Sequence, residues 1–214
     1  MKFTARSFAF WSVHLFLCFA FDVTFIGALA AQSPEKPIVI LIGPPSSGKT
    51  TQAELIQKRY SFAMITREQL MKDDPSMLER QKRPGLNTVE PRVDPALNEL
   101  FLKRLEKTDI SKGLLLDGYP TTKDHGDFFT KIGREKGLAR PLILKLDMSD
   151  AVVYARLKGQ NPSQIEQDLK DYHRETDFLS SYFPQANIVK INADRKPDAI
   201  FDEIRKVIDK HVKP

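Results

Sequence analysis

The chain has 214 residues, enough for one domain, or a tight two-lobed one, with a sizeable core. Its 33 lysines and arginines exceed its 28 aspartates and glutamates by five; only Lys2, Arg6 and Asp22 fall in the first 32 residues, so the body carries 31 against 27. That excess is too dilute for a dedicated nucleic-acid binder but suits a protein that handles anionic ligands, and the composition excludes disorder, collagen and a disulfide scaffold.

The first element is apolar. Half of the 14 phenylalanines lie in the first 25 residues, and Phe8 to Ala31 is nearly free of charge after the basic Lys2 and Arg6. Ala28-Leu29-Ala30 before Ala31-Gln32 puts small residues where signal peptidase requires them, so residues 1–32 read as an export signal. The run is also long enough to span a bilayer if left uncleaved, giving an anchored protein; translation from a later start would leave the protein cytoplasmic. Membrane association is expected only through this segment. Cys18, the only cysteine, lies within it, so the body at 33–214 has no disulfide and no cysteine metal site.

Ser33 to Lys36 is a short polar linker, and Pro37 opens the folded part. Strand-length apolar runs follow at Ile38 to Ile42, Leu114 to Leu116, Leu142 to Leu146 and Ile188 to Ile191, with a weaker one at Phe62 to Ile65. Helical periodicity covers Thr50 to Tyr60, Leu97 to Leu105, Ala151 to Leu157, Gln164 to Tyr182 and Pro197 to His211. Strands alternating with helices predict an α/β fold: a parallel sheet with helices on both faces and a ligand site at the carboxyl ends of its strands. Leu169, Tyr172, Ile200, Ile204, Val207 and Ile208 recur at helical spacing and read as core.

Directly after the first strand stands Gly43-Pro44-Pro45-Ser46-Ser47-Gly48-Lys49-Thr50, followed by Thr51. The spacing GxxxxGK[ST] between strand and helix is that of a phosphate loop. Gly43 and Gly48 let the backbone curl so that its amides point inward at a helix N-terminus, forming an anion cradle. Lys49 is then placed for the β and γ phosphates of ATP, and the Thr50 hydroxyl for Mg²⁺. A tight turn alone would explain the glycines but neither the lysine nor the hydroxyl. The second element, Gly113-Leu114-Leu115-Leu116-Asp117-Gly118, is a strand ending in a carboxylate. Asp117 suits a Mg²⁺ ligand, direct or through water, and equally suits a turn.

With these residues and the stretches LILKLDMSDAVVYARLKGQ and LKDYHRETDFLSSYF, the chain from Lys36 to Val212 resembles the adenylate kinases and related nucleoside-monophosphate kinases. DGYP after the strand is more specific than the phosphate loop alone. The resemblance implies a five-stranded parallel core, an inserted acceptor lobe near residues 73–92, and a lid shrunk to a loop at about 158–163. It further implies ATP and Mg²⁺ as cofactors, nucleotides as the substrate partners, and a monomer. Arg156 matches a family arginine facing the donor phosphates, though an ordinary exposed helix position would look the same. Arg67 and Lys72 correspond to the acceptor-binding pair of the second-strand turn, with the bidentate geometry lost at position 72.

Other family cations are missing. Thr121 stands where an arginine grips the acceptor phosphate, His125 where a glutamine reads the acceptor base, and Asp168 where an arginine follows the lid. His125 reads as a surface helix residue without a catalytic role. Arg80, Lys82, Arg83 and Arg92 either replace the lost cations or solvate an irregular segment. The function expected from the sequence is transfer of a phosphoryl group from ATP to a nucleoside monophosphate. The alternatives are a nucleotide-binding module that has lost transfer and a kinase for another small molecule.

Overall fold

The computed structural model describes residues 35–76 and 96–212. The expected export segment at 1–32, most of the expected acceptor lobe, and Arg80, Lys82, Arg83 and Arg92 lie outside the described residues.

Five strands, β1 (Ile38–Ile42), β2 (Ala63–Thr66), β3 (Leu114–Asp117), β4 (Leu142–Asp147) and β5 (Ile188–Asn192), form one parallel sheet in the order β2-β3-β1-β4-β5. β1 lies at the centre and is buried along its whole length, which is why its sequence is a continuous apolar run without alternation. The chain leaves β1 toward the β2 edge and leaves β3 toward β4 on the other side. Its connections therefore diverge above the carboxyl ends of the central strands, where a crevice opens.

The strand period of two divides the core. Ile38, Ile40, Ile42, Leu114, Leu116 and Ile143 face one layer, built from α2 (Arg67–Asp73), α3 (Ala96–Glu106), α4 (Lys123–Lys136) and the C-terminal part of α6 (Pro162–Tyr182). Val39, Leu41, Leu115, Leu142 and Leu144 face the other, where α1 (Lys49–Tyr60), α5 (Asp150–Arg156), the N-terminal part of α6 and α7 (Pro197–Val212) pack. Each fully buried leucine or isoleucine contributes about 1.5–3 kcal/mol relative to exposure, so both layers hold the sheet fixed beneath the crevice. α6 crosses from one layer to the other: Ile165 and Leu169 join the second, Leu179 the first.

Two helices depart from the sequence expectation. α2 is only seven residues long, and it is fixed by a capping box: the Thr66 hydroxyl accepts from the Gln69 amide while the Gln69 side chain accepts from the Thr66 amide. α4 begins at the Thr122 cap and ends at left-handed Gly137. Gly126 lies inside it: a Cβ there would lie 2.8 Å from Tyr182 Cζ, so the residue is small because α6 presses against it. The expected lid is a loop of five residues, 157–161. Pro162 and Ser163, assigned to the lid from the sequence, already belong to α6, which Asn161 caps.

Candidate phosphate-binding cleft

The loop between β1 and α1 is shaped by close approach. A Cβ at Gly43 would sit 2.6 Å from Ser47 Oγ and 2.9 Å from Leu146 Cβ, so the backbone can pass there only without a side chain. Ser46 and Gly48 take positive φ, and the Ser47 amide donates back to the Pro44 carbonyl at 3.2 Å. Gly48 caps α1 without any side-chain hydrogen bond, so the first amides of the helix are left for an anion. Ser47 Oγ is buried and has no hydrogen-bond partner among the described residues. Cradle, uncapped helix and orphaned hydroxyl together fit a phosphate group.

From this loop a cleft of about 510 Å³ runs across the carboxyl ends of the strands. It gathers Gly43, Pro45, Lys49 and Thr50 from the loop and α1, Arg67 and Lys72 from α2, and Asp117, Gly118 and Thr121 from the end of β3. Lys49 Nζ donates to the Gly43 carbonyl at 3.1 Å, so the ammonium lies folded over the loop that precedes it. Asp117 is paired in register with Leu41 and Thr66 on its neighbouring strands, which carries its carboxylate to the same level as the loop. Thr50 and Asp117 thus border one space, as a pair holding Mg²⁺ requires. Gly118 has φ +74°, and a Cβ there would come within 3.1 Å of Arg67 Cβ, so the stem of Arg67 lies against the turn after β3.

The remaining wall is α6, which contributes Asp168, Tyr172 and Glu175. Asp168 accepts from Gln164 Nε2 at 2.9 Å, one turn earlier; the lysine of that helix, Lys170, instead pairs with Glu166 at 2.7 Å. Tyr172 adds to the sequence reading: it is buried, as its helical spacing suggests, yet it also lines the cleft, on the stretch of α6 that passes from one layer to the other. Burial pushes its phenol up to about 12.

Of the other residues assigned from the loop motif and the resemblance, Pro44, Ser46, Ser47 and Gly48 form the loop itself and Thr51 the first turn of α1, while Arg156 reaches the loop from α5. Arg156 Nη1 donates to the Ser46 carbonyl at 3.1 Å, and Nη2 donates to the Ala193 carbonyl at 3.3 Å and to Asp194 Oδ1 at 2.8 Å. The expectation that His125 lies on the surface is wrong. Its side chain is fully buried, because α4 turns its first-turn face inward against Tyr119, whose ring centre is 5.2 Å away. His125 Nδ1 lies 3.2 Å from Thr121 Oγ1. Tyr119 is itself locked, stacked on Phe101 at 4.5 Å and donating to Asn98 Oδ1 at 2.8 Å; burial raises its pKa.

Sequence reasoning missed Glu54, Met64, Thr66, Glu68, Gln69 and Glu175 of the lining. Only the Thr66-x-x-Gln69 spacing could have signalled any of them, as a helix start.

Comparison with known proteins agrees with this geometry. The adenylate kinase family model matches residues 41–188. Adenylate kinase isoenzyme 1 of Cyprinus carpio is 30% identical over 198 residues, covering 85% of this chain and 98% of its own length. The same isoenzyme of Gallus gallus is 30% identical over 190 residues, covering 81% and 94%. An adenylate kinase of Mesorhizobium japonicum is 23% identical over 189 residues, covering 79% and 96%.

Proposed function

This chain belongs to the adenylate kinase family, and we propose that it is a phosphotransferase moving the γ-phosphoryl group of ATP to a nucleoside monophosphate, acting as a monomer. One observation carries the reading: a single cleft joins the phosphate loop, with Lys49 and Thr50, to a second cationic patch, Arg67 and Lys72, through Asp117 at its floor. Two anionic ligands, one on each cationic patch, would share the space that Asp117 lines.

The chemistry asked of the protein is positioning and charge. The amides of the loop and the first turn of α1 hold the donor phosphates, and Lys49 exchanges its Gly43 carbonyl for a phosphate oxygen. Thr50 and Asp117 would hold Mg²⁺, which when bound would neutralise charge on the phosphate oxygens. Arg67, pressed against Gly118, and Lys72 on the next turn of α2 orient the acceptor phosphate for in-line attack. Arg156 holds the loop through Ser46 and adds positive charge beside it. Mg-ATP incubated with adenosine, cytidine, uridine and guanosine 5′-monophosphates tests the reading: one of them must yield its diphosphate, and none doing so would refute it.

A second reading, a nucleotide-binding module without transfer, is favoured by one observation: Asp168 lines the cleft. A carboxylate there repels phosphate, and a loop of five residues covers little of the site. ATP binding without any diphosphate formed would select it.

For location, we propose that residues 1–32 direct export, supported by Lys2, Arg6, the apolar run and Ala28-Leu29-Ala30. Mass spectrometry of protein from its native host should then find an N-terminus near Ala31; an intact Met1 on a cytoplasmic protein would refute it. Among the described residues no helix is long and apolar enough to cross a membrane.

A further inference from the structure

The positive charge of this protein is gathered at the end opposite the cleft. α1, α3, α4 and α6 each lead into a strand of the parallel sheet, so each ends beside the amino end of that strand. α7 ends there too, since Tyr60 at the end of α1 donates to Asp209 in its last turn. The last turns of these five helices, the connections into β2–β5 and residues 35–37 together hold eleven lysines and arginines against five carboxylates. Residues 33–214 hold 31 against 27, which leaves twenty against twenty-two for everything else. The excess of the body therefore resides at the amino ends of the strands, while the cleft lies at their carboxyl ends.

Cations in the last turn of a helix complement its carbonyl end, which accounts for seven of the eleven. It does not account for Lys36, Lys107, Lys112 and Arg140, which belong to no helix. Three of these come from segments that meet. Lys36 is bridged to Leu138, two residues before Arg140, and the Pro37 carbonyl accepts from the Leu114 amide, which brings in the segment of Lys112. Between them stands Asp109, whose carboxyl is held below its usual range first by hydrogen bonds from Ser111 and then by the charges of Lys112 and Lys36. Salt bridges absorb little of the charge. Among the described residues only Arg104, with Asp73, and Lys136, with Glu106 at 4.0 Å, have one out of the eleven. Lys107, Lys112 and Arg140 are exposed.

We propose that this face, with Lys36, Lys107, Lys112 and Arg140 on it, docks the protein on an anionic lipid bilayer. The chain enters the body at this face: Glu35 and Lys36 follow the apolar run of residues 1–32 with only Ser33 and Pro34 between. Each lysine or arginine close to an anionic surface strengthens binding about fivefold, so an excess spread over one end is enough to hold a protein there. Docking is also oriented. The surface attracts this end and not the remainder, whose charge is slightly negative, so the cleft opens away from the bilayer toward the solution that carries its nucleotides. The choice of a bilayer over another polyanion rests on reading residues 1–32 as a segment handled at a membrane; binding by the face is measured without that segment, so the two can fail separately.

The test is sedimentation with vesicles of the chain from Ala31 onward, the form that export would leave, in which Pro34–Pro214 makes one compact unit. It should bind vesicles of phosphatidylcholine with about 30% phosphatidylglycerol and not vesicles of phosphatidylcholine alone. Binding should fade as salt rises from about 0.05 to about 0.5 M, a readout that needs no variant to fold. The combined Lys107→Glu, Lys112→Glu and Arg140→Glu protein, with an unchanged far-ultraviolet circular dichroism spectrum, should bind the anionic vesicles about a hundredfold more weakly. Lys131→Glu with Lys190→Glu, exposed cations outside this face, should lose far less. Equal binding to both kinds of vesicle, binding to neither, or equal losses in the two variants would each overturn the proposal. Tighter binding to a DNA duplex than to the anionic vesicles at the same salt would also overturn it, by assigning the face to a nucleic acid.

Discussion

The Arg156 guanidinium donates to the carbonyl of Ser46, 110 residues earlier in the chain, and to the Asp194 carboxylate with its other nitrogen. The fork thus ties the phosphate loop, α5 and the turn after β5 together. A lysine would keep the charge but not the two-pronged geometry. Arg156→Ala should weaken ATP binding by about three- to tenfold, the scale of one lost hydrogen bond, and Arg156→Lys should not restore it. Calorimetry with Mg-ATP reads this directly. Full restoration by lysine would mean that charge alone is the contribution of this residue.

Asp168 faces the cleft with only Gln164 beside it in the hydrogen-bond network described above. Asp168→Arg replaces a repulsive charge by an attractive one, so transfer should rise by about tenfold, or 1.4 kcal/mol of barrier. Hydrolysis of ATP should fall relative to transfer, since the added side chain also shields the phosphates from water. Steady-state rates of both reactions decide it; unchanged values would place Asp168 outside the transition-state shell.

Two tyrosines give the fold an alkaline limit. Tyr60 is pushed up to about 12 by burial and by its hydrogen bond to Asp209, and Tyr172 to about 12 chiefly by burial. Both phenols ionise near 10 in the unfolded chain, so above that pH the unfolded state binds fewer protons than the native one, and stability falls as pH rises. Their contribution is complete below pH 10 and lost between about 10 and 12. The urea midpoint should therefore drop between pH 9.5 and 11.5, and Tyr60→Phe should flatten that slope. A midpoint independent of pH across this window would contradict the account.

The core of this fold was legible wherever burial and period coincide. β1 reads as a buried strand because every residue of Ile38–Ile42 is apolar, and the glycines, lysine and threonine after it specify a phosphate cradle with no tertiary information. α4 was hidden because Gly126 obeys a packing demand from Tyr182, which only the folded chain supplies. α2 was hidden because seven residues cannot display a period. In the cleft's second half Asp168 was legible as the position of a family arginine, whereas Tyr172 and Glu175 were not: they join it in the lining as α6 passes from one layer to the other. His125 misled because one polar residue in a helix's first turn reads as solvated, while in the folded chain it is buried against Thr121 and Tyr119.

The central claim is that Lys49 and its loop deliver a phosphoryl group across this cleft, and labelled transfer tests it most directly. ATP carrying phosphorus-32 at the γ position is mixed with Mg²⁺, the parent protein and each nucleoside monophosphate in turn. The account predicts label in the β position of a nucleoside diphosphate. Lys49→Ala should abolish that signal and bind ATP roughly ten- to a hundredfold more weakly, the loss of one charge-assisted contact worth about 1.5–3 kcal/mol. Label appearing only as inorganic phosphate, or transfer undiminished in Lys49→Ala, would contradict it.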